Sequence, residues 1–262
     1  MHPTIRRGGT FLRQLLLFGR LEARSCTVAI ALFAGMALVR VLPATPVAPY
    51  DLLLLYGSLL TVLAWFVRRE SRREIAVIAA CHLLGLALEL VKVRVGSWSY
   101  PESALTKIAG VPLYSGFMYA AVGSYVCATW RTMDLEVSRY RPHVVAALAG
   151  AAYLNFLTDH WLPDLRWALA LALFWVSAGS MLHFTIGRTR HRMPLALAFA
   201  LVGFLLWLAE NIATRLSAWR YPYQLPTWHP VSVATWSSWA LLIPVMFVLT
   251  HRLVGPPGRR RP

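Results

Sequence analysis

Lysine is almost missing from this chain: Lys92 and Lys107 are the only two in 262 residues. Acid is scarce as well, with 11 aspartates and glutamates, and charged residues of every kind make up 14%. Soluble globular domains carry about 25% charge, so a chain this poor in charge and 58% apolar is not an ordinary soluble enzyme. The three cysteines, at positions 26, 81 and 127, are too few and too scattered for a disulfide framework. The same apolar content excludes a disordered chain.

What is present is arginine. Lysine and arginine together number 26, giving a net charge of +15, and an excess of that size ordinarily points to nucleic acid. Its placement argues against that partner. The arginines cluster as Arg6/Arg7, Arg68/Arg69/Arg72/Arg73, Arg188/Arg190/Arg192 and Arg259/Arg260/Arg261, and long apolar runs lie between the clusters. A bilayer core about 30 Å thick takes about 20 apolar helical residues. Eight runs approach that length, at 26–42, 51–67, 75–92, 112–130, 143–158, 166–186, 194–212 and 232–250, the fifth being short and holding Asn155. With both termini on the cytoplasmic side, 19 basic residues fall on that side and seven on or near the other, the asymmetry of cytoplasmic loops in multi-pass proteins. The basic excess reads as topology, a map of the cytoplasmic face of a cell membrane, with membrane lipids and no nucleic acid as partners.

Ahead of the first run, Arg6 and Arg7 followed by Phe11 and Leu12 faintly resemble a twin-arginine export signal, but Arg13 and Arg20 interrupt the apolar stretch such a signal requires. Leu15, Leu16, Leu17 and Leu21 fit a short amphipathic helix along the membrane surface, and equally an unstructured tail.

An internal repeat is the most specific signal. Glu89, Trp98, Tyr100 and Pro101 recur as Glu210, Trp219, Tyr221 and Pro222, each pair 121 residues apart. A shift of four runs restores the same orientation, so the expected fold is all-α, a polytopic transmembrane bundle of about eight helices in two parallel four-helix repeats. The expected organisation is a basic cytoplasmic segment at 1–25, a first repeat at 26–131, a cytoplasmic linker at 132–142, a second repeat at 143–251 and a basic tail at 252–262. Each glutamate then lies near the outer end of its helix, and each Tyr-Pro turns the loop beyond.

The run from Glu89 to Pro101 resembles the bacterial membrane family catalogued as domain of unknown function 817. Three further stretches carry the resemblance: Tyr153 to His160 with Asn155 and Asp159; Pro163 to Trp167; and Met193 through Trp207, Glu210, Asn211 and Thr214 to Pro222. The resemblance implies a polytopic bacterial membrane protein and covers most of the chain, leaving out the first 25 residues and the arginine tail.

The leading catalytic candidates are Glu89 and Glu210, because ionisable groups in membrane helices are costly and mark sites by default. Lys92, three residues after Glu89, offers a simpler account as an ion-pair partner. Trp98, Tyr100, Trp219 and Tyr221 suit either interfacial anchoring or an aromatic wall for an apolar or cationic ligand. Asn155, Asp159 and His160 near the outer end of the fifth run have only Ala34, Leu38 and Val39 as counterparts 121 residues earlier, and with Lys92 and Asn211 they complete the candidate substrate-binding set. No metal-ligand spacing or cofactor motif is present, so neither a metal nor a cofactor is expected. His82, two turns before Glu89, and His183, placed deep in the sixth run, read as polar residues bonded between helices.

Three functions remain open at this level. One is an intramembrane enzyme using paired glutamates as acid and base on a lipid or isoprenoid-like substrate, a hydrophobic small molecule. The others are a transporter whose duplicated halves enclose carboxylates, and a binding or scaffold protein with an aromatic outer surface.

Overall fold

In a computed structural model, residues 4–43, 45–68 and 70–254 are described, those before residue 11 by their backbone alone. The arginines at 259–261, and with them most of the expected tail, lie outside the described residues.

Among the described residues the chain forms nine α-helices: α1 (Thr4–Ser25), α2 (Thr27–Val41), α3 (Pro49–Arg68), α4 (Arg72–Arg94), α5 (Gly116–Thr132), α6 (Pro142–Thr158), α7 (Arg166–Ser177), α8 (Leu195–Arg215) and α9 (Ala234–Leu253). A two-stranded ladder, β1 (Lys107–Ile108) and β2 (Val111–Pro112), precedes α5. A three-stranded antiparallel sheet is built from β3 (Glu136–Ser138), β4 (Met181–Ile186) and β5 (Thr189–Pro194) in that order. The protein is thus an all-α membrane bundle with a small sheet at one end. Four helices, α3, α4, α8 and α9, are long and apolar enough to cross a bilayer, and there are five crossings if α1 and α2, bent by 64° at their junction, form one broken span.

One expectation needs correction. Each of the eight runs holds a helix, among them the short α5 and α6 at 17 residues and α7 at 12. The sixth run, 166–186, is not one helix. It stops at Ser177, and its remainder is β4, where Leu182, Phe184 and Ile186 are buried and alternate with His183 and Thr185. That period of two belongs to a half-buried strand. His183 therefore sits on a strand, with its Nε2 2.9 Å from Ser138 Oγ on β3, and not inside a helix. The stretch expected as a cytoplasmic linker, 132–142, holds β3.

The N-terminal stretch is helical. Phe18 of α1 packs on Phe184, with ring centroids 6.3 Å apart, and Gln14 donates to Thr189 Oγ1. Its Phe11, Leu12, Leu15 and Leu16 stay exposed, as befits an amphipathic helix meeting lipid.

Local chemistry fixes the ends of α4. Ser71 and Glu74 form a reciprocal capping box, and Glu74 also pairs with Arg131 at the end of α5. At the other end, the amide of Ser97 donates to the carbonyl of Lys92 and that of Gly96 to Val93, with Gly96 at φ +76°. This is a Schellman stop, which needs a left-handed residue at the position glycine occupies. The end of α8 repeats it: Ala218 donates to Ala213, Ser217 to Thr214, and Ser217 has φ +56°.

Candidate functional site

The two helix stops aim the Trp-x-Tyr-Pro segments back over the ends of α4 and α8, where they pair. Ser99 and Arg220 exchange both backbone hydrogen bonds, at 2.9 Å each. The paired loops are tied down from outside the motif. Arg40 on α2 donates to the carbonyls of Leu216 and Ser217 and pairs with Glu102, Lys107 donates to the carbonyls of Tyr100 and Glu102, and Tyr114 donates to that of Ala218.

Both glutamates are buried, Glu89 at 3% and Glu210 at 5% exposure. Glu89 Oε2 accepts the Trp98 indole N–H at 2.7 Å and the Tyr100 hydroxyl at 2.9 Å, while its Oε1 accepts the Tyr119 hydroxyl at 3.0 Å. Glu210 Oε1 accepts Tyr221 at 2.6 Å and its Oε2 accepts the Trp239 indole at 2.9 Å. The donors of one carboxylate touch those of the other: Trp98 meets Tyr221 edge to face at 5.9 Å, and Tyr119 meets Trp239 at 6.0 Å. Burial, then the neighbouring carboxylate, pushes the Tyr100 and Tyr221 hydroxyls well above the usual phenol range, so both hold their protons as hydrogen-bond donors.

Tyr119 reaches Glu89 because α4 has no side chain in its way. A Cβ at Gly85, one turn before Glu89, would lie 2.3 Å from Tyr119 Cγ and 2.6 Å from its Cβ. Those atoms sit at the root of the side chain and cannot swing aside. Gly85→Ala is therefore expected to destabilise the protein by about 1–3 kcal/mol, the usual overpacking range, and thermal unfolding in detergent measures it.

The ion pair that the spacing of Glu89 and Lys92 permits does not form. Lys92 points to α6, where its Nζ lies 2.6 Å from Asp159 Oδ1 and 5.4 Å from the centre of the Phe156 ring. Asp159 also receives His160 Nδ1 at 3.0 Å, and Arg166 reaches both Asp159, at 4.0 Å, and Asp164, at 3.4 Å. Burial alone would raise the Asp159 carboxyl, but the hydrogen bonds and charges of Lys92 and His160 outweigh it and hold the group below the usual carboxylate range.

These groups surround a cavity of about 280 Å³. Glu89, Lys92, Trp98, Asp159, His160, Glu210, Trp219 and Tyr221 all line it, so eight of the eleven candidates come together. Tyr100 stands behind the wall, bonded to Glu89. Two candidates lie apart. Asn155 accepts the amide of Leu165 and donates to Asp164, shaping the α6–α7 turn. Asn211 donates to Trp207 and accepts the amide of Val231, fixing the segment before α9.

Sequence reasoning missed Tyr119, Phe156, Arg166 and Trp239. Trp239 falls 121 residues after Met118, so the repeat carried no sign of it.

An apolar cavity of about 170 Å³ adjoins the polar one between α2, α5 and α8, and both are lined by Met118, Glu210, Trp219 and Trp239. A third, of about 320 Å³ and almost wholly apolar, shares Tyr125, Val202 and Leu205 with the second and extends to the sheet.

Apolar helices long enough to span a bilayer, around a cavity lined by two buried glutamates, define a polytopic membrane protein. The chain belongs to the family described as "Protein of unknown function (DUF817)", which matches residues 14–247. It is also 44% identical over 248 residues to "Uncharacterized protein YoaT" of Bacillus subtilis (strain 168), covering 92% of each chain. No solved structure matches.

Proposed function

We propose that the protein is an intramembrane enzyme acting on an amphiphilic, lipid- or isoprenoid-like substrate, with its apolar part in the slot along α8 and its reacting end in the polar cavity. The observation that carries this reading is the shared wall: Glu210, Trp219 and Trp239 border both the apolar cavity and the polar one. A substrate lying in the slot meets a carboxylate where it enters the polar chamber.

The two glutamates take different roles. A carboxylate offers about four acceptor positions. Glu89 uses three of them on Trp98, Tyr100 and Tyr119, whereas Glu210 uses two and stands at the boundary. Glu210 is therefore the group that exchanges a proton with substrate, and Glu89 is the fixed electrostatic partner. Two acids with unlike surroundings are a recurring means of dividing acid–base work. The transport alternative is less well supported, since α4 and α8 run unbroken past the glutamates where duplicated transporters interrupt their helices.

The site belongs to the outer face in this reading, and the two halves descend from a duplication. The offset of 121 carries each hydrogen bond of the α4 stop onto one of the α8 stop. It also carries Ser99 onto Arg220, the residues that bond to each other reciprocally, as a two-fold relation between parallel halves requires. Both termini are then cytoplasmic, in the inner membrane. With the three native cysteines replaced by alanine, Ser99→Cys should react with an impermeant thiol reagent in intact cells, and Arg190→Cys only after permeabilisation. The reverse pattern would invert the orientation.

The enzymatic reading is tested by comparing lipid and pigment extracts of host cells making the wild type, Glu89→Gln or Glu210→Gln at equal membrane abundance. A change seen with the wild type and lost in both variants supports it; extracts indistinguishable among all three and an empty host sink it.

A further inference from the structure

The walls of the polar cavity are unequal in charge. On one side stand the oxygens of Glu89 and Glu210 and the rings of Trp98, Tyr119, Tyr221 and Trp239, whose polar edges are occupied by those carboxylates. Aromatic faces carry negative electrostatic potential, which adds to that of the two carboxylates wherever a ring turns its face to the cavity. Two cations also line the cavity, each already engaged, Lys92 by Asp159 and Arg166 by Asp159 and Asp164, and so does His160, which bonds Asp159. Among the described residues neither Glu89 nor Glu210 has a cationic side chain as partner, so the two glutamates remain as the surplus.

The apolar slot is narrow in chemistry. It consists of two adjoining cavities lined by α8 residues from Leu195 to Glu210, about 22 Å at a rise of 1.5 Å per residue. Toward the sheet end its polar side chains include Glu22, which accepts the Tyr125 hydroxyl at 3.0 Å, and Thr129.

We infer that the ligand of this site is a single-chain amphiphile whose head carries positive charge, an ammonium held against the Trp and Tyr faces beside Glu89 and Glu210 while its chain follows α8. The inference rests on the amphiphile part of the proposed function and not on catalysis. Cation–aromatic contacts gain strength when desolvated, as they are behind the paired loops. An anionic head would face the two surplus carboxylates, and a neutral head would leave them without a counter-charge.

The test uses the full-length protein in nanodiscs of a zwitterionic lipid, with labelled hexadecyltrimethylammonium as the probe and empty discs subtracted. Saturable binding is expected, weakened about tenfold or more by Glu210→Gln and by Glu89→Gln, and blocked at the slot by Leu205→Trp. Hexadecyl sulfate and hexadecanol should compete poorly. Equal competition by the sulfate, or binding indifferent to both glutamates, would overturn the inference. Glutamate-dependent binding with unchanged cell extracts would leave this inference standing and remove the enzymatic reading. Changed extracts without ammonium binding would do the opposite.

Discussion

Asp159→Ala is expected to cost the folded protein about 3–5 kcal/mol, the range for breaking a buried ion pair by removing one partner. Lys92 is 3% exposed, and its ammonium has Asp159 as its carboxylate, 2.6 Å away. Truncating the aspartate strands that charge between α4 and α6. Replacing both residues with apolar ones, Lys92→Met with Asp159→Leu, should recover most of the loss, because a well-packed apolar pair avoids the desolvation that the ion pair had to overcome. Arg166 keeps Asp164 in that double variant. Denaturant unfolding in a mild detergent, followed by tryptophan fluorescence, compares the wild type, Asp159→Ala and the double variant. Stability should also depend on pH through this group. The Asp159 carboxyl is depressed in the folded protein, so its contribution is complete above the ordinary aspartate value of about 3.9 and is lost as pH falls through the lower folded value. Asp159→Asn should lack that acid limb. A single variant as stable as the wild type would show that Lys92 finds water or another partner.

The same ion pair shows what the chain could and could not reveal before folding. Lys92 and Glu89 are three apart on α4, a spacing that permits a contact, and local reasoning stops there. The contact is absent because the oxygens of Glu89 are taken by three aromatic donors, and because α6 brings Asp159 to Lys92 from 67 residues away. Repetition was the better guide. It singled out Glu89, Trp98, Glu210 and Tyr221, which line one cavity, since an offset kept over four positions carries tertiary information that no single helix face does. It failed at Trp239, where the second half uses an indole from α9 for a bond that Trp98 makes in the first. At 166–186 the alternation of Leu182, His183, Phe184, Thr185 and Ile186 was visible, but mean apolarity over the whole run outweighed it. A strand buried on one face and a short span differ in period, not in composition.

Glu210→Gln is expected to lower turnover by about 10²–10⁴-fold, the usual contribution of a positioned acid or base, and Glu89→Gln, which removes the fixed electrostatic partner, by less, while each shifts Tm by less than about 2–4 °C, or roughly 1 kcal/mol. The small structural cost follows from the chemistry of the donors. An indole N–H can only donate, whereas a tyrosine hydroxyl donates or accepts. At position 210, glutamine can set its carbonyl oxygen toward Trp239 and its amide toward Tyr221, which then accepts instead of donating. At position 89, the oxygen can face Trp98 and Tyr100 and the amide Tyr119. Every hydrogen bond has a counterpart, and only the charge and the exchangeable proton are gone. Leucine at position 89 is the structural control. It leaves Trp98, Tyr100 and Tyr119 without an acceptor at about 1–3 kcal/mol for each buried donor, so Glu89→Leu should unfold readily where Glu89→Gln does not. Glu210→Gln should show the larger loss of turnover of the two amides, since Glu210 lines both the apolar cavity and the polar one. If both amide variants turned over substrate as the wild type does while remaining folded, the carboxylates would be holding the aromatic wall in place and nothing more.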